Sequence, residues 1–148
     1  MSDTLHADRV IRSVTVKCDA GTAFRIWTEK IEAWWPEGHT PSGSGGSQIR
    51  MQTGPGGRIF ELLADGSEQD LARIAGWAPP HQITLDWFLG SGPERPSRVN
   101  IHFIEESGRT TVRVEHRGPK LIGDAWAIRK GLFSASWEAV LASFAEKV

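Results

Sequence analysis

The sequence has 148 residues, 39% of them hydrophobic and 24% charged, the size and balance of one globular domain able to bury a core. A formal net charge of −1, with basic residues only in short clusters such as Arg129-Lys130, supplies no field for nucleic acid or an anionic membrane surface. Cys18 is the single cysteine, which excludes an intramolecular disulfide and a cysteine-based zinc site, and no stretch approaches the roughly 20 apolar residues of a membrane span.

Residues 1–8 lack the apolar core of a signal peptide and read as a flexible leader, so the expected location is cytoplasmic. Residues 10–17 alternate, with Val10, Arg12, Val14 and Val16 on one parity, and predict a strand. Asp19 offers a helix N-cap. Behind it, Ala20, Ala23, Phe24, Trp27 and Ile31 recur at spacings of three and four as one apolar helical face. Pro36 ends this region, because a residue before proline is pushed out of the helical conformation. The Gly/Ser-rich stretch 41–47 is too short for a linker and reads as a surface loop.

Strand-like runs follow at 48–52, 58–63, 71–77, 83–89, 98–104 and 110–117. Turn chemistry joins them: residues 54–57, Asp65-Gly66, Pro79-Pro80, residues 90–93 and Ser107-Gly108. The glycine-rich 54–57 lacks the Lys-Ser/Thr of a phosphate loop and is read as a turn. Short strands with tight connections predict an antiparallel meander. In the last segment Trp126, Lys130, Phe133, Trp137, Val140, Leu141, Phe144 and Val148 mark one face of a long helix, with Asp124 as its cap and Gly131 as a point of kinking or splitting. The predicted fold class is α+β. A curved antiparallel sheet of six to seven strands wraps the C-terminal helix, one or two short helices follow the first strand, and residues 1–148 form a single domain. A sheet wrapped round one helix leaves unfilled space, which predicts a pocket between them.

Several motifs carry a resemblance. They are Trp34-Trp35-Pro36 with Gly38-His39-Thr40, Gly56-Gly57-Arg58-Ile59-Phe60-Glu61 with Asp65-Gly66, Gly76-Trp77-Ala78-Pro79-Pro80 with Asp86-Trp87, His116-Arg117-Gly118, and Ser136-Trp137. In this order they resemble the SRPBCC superfamily, and within it domains similar to the activator of the heat-shock-protein-90 ATPase. The resemblance implies a helix-grip fold of the START and birch-pollen-allergen type, whose members commonly hold apolar ligands in a central cavity. Some members of the superfamily are cyclases or aromatases.

Candidate site residues divide by type. There are seven Trp and no Tyr; most are expected in the core, with two or three lining a cavity. Trp87 and Trp137 are the best wall candidates, Phe103 and Phe133 face the same space, and Trp34 and Trp35 could form a lid. His116 shares parity with Val112 and Val114 and is delivered inward, as a core histidine bonded to backbone or as a polar anchor for a ligand. His102 has the opposite parity to Val99, Ile101 and Phe103 and should face away from the core. His39 is placed at the pocket mouth. Parity cannot orient the strand at 58–63, apolar on both sides. An inward Glu61 needs a partner, for which Arg73 is the candidate, and burial would raise its pKa toward acid–base use.

The sequence shows no metal-ligand spacing and no nucleophile elbow, so no metal and no cofactor are expected. The leading expectation is binding, without turnover, of an apolar, aromatic or lipid-like small molecule. A cyclase, dehydratase or hydrolase acting on a ring-bearing substrate comes second, and a chaperone-activating interaction module third. A monomer or homodimer is expected, with no nucleic-acid partner.

Overall fold

A computed structural model describes residues 9–43, 46–88, 96–118 and 124–148, the side chains of 124–129 excepted. The expectations for the leader 1–8, for Leu89 and the turn at 90–93, and for the side chains of Asp124 and Trp126 lie outside these residues.

The alternating first segment forms β1 (Arg9–Val16), with Val10 and Val16 buried. Asp19 then caps α1 (Ala20–Glu29): its carboxylate accepts from the Thr22 backbone N–H at 2.7 Å. Glu105 accepts a second free N–H, that of Ala20, at 2.8 Å. The predicted face is the one that buries, since Ala20, Ala23, Phe24, Trp27 and Ile31 are each 5% exposed or less. A short α2 (Ile31–Trp34) follows, and Trp35, held extended before Pro36, stops it.

The strands are β2 (Gln48–Met51), β3 (Arg58–Leu62), β4 (Glu68–Ala78), β5 (Gln82–Trp87), β6 (Ser97–Glu106) and β7 (Arg109–Arg117). They form one seven-stranded antiparallel sheet in the order β1-β7-β6-β5-β4-β3-β2, so β1 closes the meander by pairing with the last strand. Gly57 shows why the β2–β3 turn needs glycine, because a Cβ there would lie 1.9 Å from the Gln52 carbonyl oxygen. That turn is tied to β4, where Gly56 N donates to Ile74 O and Ile74 N to Gly57 O.

Helix α3 (Asp124–Lys147) runs unbroken through Gly131, so the expected split does not occur. It buries Trp137, Val140, Leu141 and Phe144, while Val148, beyond the helix end, is exposed and leaves the predicted face. Arg12 on β1 reaches α3 at Ser134 and Glu138. Among the described residues, no helix is long and apolar enough to cross a membrane. The curled sheet gripping one long helix is the α+β helix-grip arrangement.

Candidate functional site

Strand register brings three side chains to one end of the sheet. Trp87 ends β5 directly opposite Ser97, which begins β6, and His116 lies near the end of β7, opposite Val99. From the other side, α3 supplies Trp137 and Phe133, and Trp35 enters from the segment after α2. The Trp87 and Trp137 rings are 5.0 Å apart between centroids. Trp35 lies 6.2 Å from Trp87 and 6.4 Å from Trp137, and Phe133 lies 4.4 Å from His116. These are ordinary aromatic contact distances, and together they make a wall of rings around one imidazole.

His116 is fully buried, and its hydrogen bonds fix its state. The Trp137 indole N–H donates to Nδ1 at 2.9 Å. An indole only donates, so Nδ1 must carry a lone pair. The ring is therefore neutral with its proton on Nε2, which donates to Ser97 Oγ at 2.5 Å. Burial agrees, pushing the His116 pKa down to about 3. The expected backbone partner for a core histidine is replaced by two side chains. This polarity is the reverse of a Ser-His-Asp triad, in which Nδ1–H donates to a carboxylate and Nε2 takes the serine proton. Nε2 here is no base toward Ser97.

Next to this wall, Glu61 anchors the segment that carries Trp35. Ile59 and Glu61 face inward, whereas Phe60 lies on the outer side beneath the Arg58 guanidinium, 4.0 Å from its ring. The Glu61 carboxylate accepts from Ser42 N at 3.0 Å, Ser42 Oγ at 2.6 Å and Ser47 Oγ at 2.6 Å, with Thr40 also donating. Burial, the largest single influence, pushes its pKa up, but these donors together outweigh it and hold the carboxyl below its usual range. The expected pairing with Arg73 does not form. Register sets Arg73 opposite Arg58 and Asp86 on the outer face, where it is exposed along a groove of about 680 Å³. The expected rise in pKa is overturned for the same reason: loop hydroxyls satisfy the carboxylate.

The remaining candidates separate. Phe103 packs on Phe24 at 5.1 Å in a second aromatic group with Trp27, at the far end of β6 from Ser97. Trp34 is core and not lid. It is 3% exposed, packed against Trp27, Trp35 and Phe144, and bonded through its N–H to Ile26 O. Trp35 is half-buried, with its indole N–H on the His39 carbonyl at 2.9 Å. The His39 ring is half-buried, and its Nδ1 has no partner among the described residues. His102 lies on the outer face opposite Arg113. A cleft of about 370 Å³ opens beside Trp35, lined in part by Glu37, Thr40, Ser47 and Ser143. No group of described residues could hold a metal ion.

Sequence reasoning missed Ser97. Its signal was available, because Ser97 shares parity with Val99, Ile101 and Phe103, and a lone serine on a buried apolar face needs a partner. The predicted strand began one residue too late to include it.

A family profile described as "Activator of Hsp90 ATPase homolog 1-like protein" matches residues 17–148. The chain belongs to this family. Solved structures extend the likeness. DynU16, from the dynemicin biosynthetic locus, matches with a TM-score of 0.67 at 18% identity, covering 94% of this chain and 46% of its own, so this chain spans about half of it. Txn09, an anthrahydroquino-γ-pyrone synthase complexed with SUM, matches with a TM-score of 0.61 at 28% identity, covering 95% of this chain and 97% of its own. Aha1 from Colwellia psychrerythraea, a dimer in its solution structure, matches with a TM-score of 0.64 at 15% identity, covering 93% of each chain. No curated protein matches the chain in sequence. Together these place the fold in the SRPBCC superfamily.

Proposed function

We propose that this chain binds a flat, oxygen-bearing polycyclic aromatic molecule against the rings of Trp35, Trp87, Phe133 and Trp137. The observation that carries the reading is the ring wall built around a neutral, hydrogen-bonded histidine. Large rigid rings offer contact area to a planar ligand at little entropic cost, and His116 contributes polarity without the desolvation cost of a charge. Catalysis is not required for this role.

A second reading, ring closure on such a molecule, is favoured by the near full-length match to a relative named as an anthrahydroquino-γ-pyrone synthase at 28% identity. In that case the wall would act by positioning a folded substrate and excluding water, since His116 in this tautomer is not a base toward Ser97.

Native mass spectrometry with 1,8-dihydroxyanthraquinone tests the binding. A one-to-one adduct is expected. The Trp87→Ala variant should weaken it by about tenfold or more, the loss expected for one stacked ring, while His81→Ala on the exposed turn leaves it unchanged. An adduct insensitive to Trp87→Ala, or none at all, contradicts the reading.

A further inference from the structure

We infer that Ser97 is the specificity-determining group of the proposed ring-walled site: a hydrogen-bond donor, held in that role by Trp137 and His116, that selects ligands presenting a carbonyl or oxyanion. The inference rests on the proposed binding at the ring wall and names the ligand class that site takes.

Trp137 N–H fills the lone pair on His116 Nδ1, so Nε2 carries the ring proton and points it at Ser97 Oγ. Ser97 Oγ is thereby an acceptor toward His116, and its own O–H must point elsewhere. Ser97 is 1% exposed and makes no second side-chain hydrogen bond with a described residue. A buried hydroxyl proton without an acceptor costs free energy until a ligand supplies one. Trp87 lies directly across the β5–β6 pair from Ser97, so a ring lying on Trp87 would bring an edge oxygen toward this proton.

The three donors run in one direction, from indole to imidazole to hydroxyl. Each bond polarises the next, which strengthens the last donor toward an oxygen that bears or gains negative charge. A ligand offering only a donor at this position, or only a C–H edge, leaves the hydroxyl proton unsatisfied. Trp137 and His116 are positioning residues: neither need touch the ligand oxygen, yet both set which atom of the relay faces it.

The test compares 9,10-anthraquinone with anthracene, which share a ring skeleton and differ in the carbonyl oxygens. The wild-type protein should bind the quinone about tenfold more tightly, the preference expected for one buried hydrogen bond. Ser97→Ala should abolish the preference, so that quinone and anthracene bind alike. Trp137→Phe should also erode the preference, because it frees Nδ1 and lets His116 adopt the other tautomer. A quinone preference that survives in Ser97→Ala overturns the inference. If wild-type protein binds neither ring, the proposed binding at the ring wall itself fails. Nitrogen-15 NMR of the wild-type imidazole is an independent check needing no variant: a proton on Nε2 is required, and a proton on Nδ1 would overturn the relay.

Discussion

His116 is buried with a pKa near 3, so acid reaches the unfolded chain before the folded one. An unfolded histidine takes its proton near pH 6.5, and the folded one only near pH 3. Between these values the unfolded state binds more protons, so stability falls as pH drops through that window. From this group alone, the protein should be about 2 kcal/mol less stable at pH 4.5 than at pH 7. Urea unfolding at both values should show the loss, and His116→Gln, which keeps one acceptor and one donor without titrating, should largely remove it. Glu61 acts in a lower window. Its depressed pKa contributes stability that is lost only as pH falls below the ordinary carboxylate range. Glu61→Ala should cost about 2–4 kcal/mol through the loss of charge-assisted bonds, whereas Arg73→Ala on the outer face should stay within about 0.5 kcal/mol. Equal effects would restore the pairing drawn from sequence. Parity sufficed to turn His116 inward, because strand period is fixed by the backbone. It could not supply the partners of Glu61, since Thr40, Ser42 and Ser47 reach it from a loop with no period to read.

Elements were legible wherever an apolar period lay against one face. The face of α1 and the register-bearing residues of β5, β6 and β7 are buried as the alternation implies. Boundaries were not. β4 continues through Glu68, Gln69 and Asp70, exposed residues whose backbones still pair with β3. Ladder hydrogen bonds do not depend on side-chain polarity, so an apolar pattern ends before the strand does. Two glycine substitutions should separate the roles glycine plays here. Gly57→Ala forces a Cβ against the Gln52 carbonyl and should destabilise by about 2 kcal/mol or more. Gly131→Ala meets nothing within 4 Å inside a helix and should stabilise by up to about 1 kcal/mol. Thermal unfolding of the two variants checks both signs. A loss at Gly131 would mean that α3 needs its glycine for a bend.

Across the described residues, most aromatic side chains fall into two groups with different work, which meet where Trp34 lies 5.6 Å from Trp35. Phe24, Trp27, Trp34, Trp77, Phe103 and Phe144 weld α1, α2 and α3 to the middle of the sheet. Trp35, Trp87, Phe133 and Trp137 instead gather where β5, β6 and β7 end, around the buried His116. Composition signalled an excess of Trp but could not apportion it, because core and wall positions share the same parity and differ only in how far along the strand they lie. The family match fixes the architecture more firmly than the chemistry, since one fold carries many functions. A ligand bound at the ring wall must therefore reach the second group before the first. Each indole N–H gives its own resonance, so the most direct measurement is a two-dimensional NMR titration with 1,8-dihydroxyanthraquinone. Saturable shifts at the indoles of Trp35, Trp87 and Trp137, with Trp27 unmoved, are the predicted result. No saturable shift, or shifts that begin at Trp27, would contradict it.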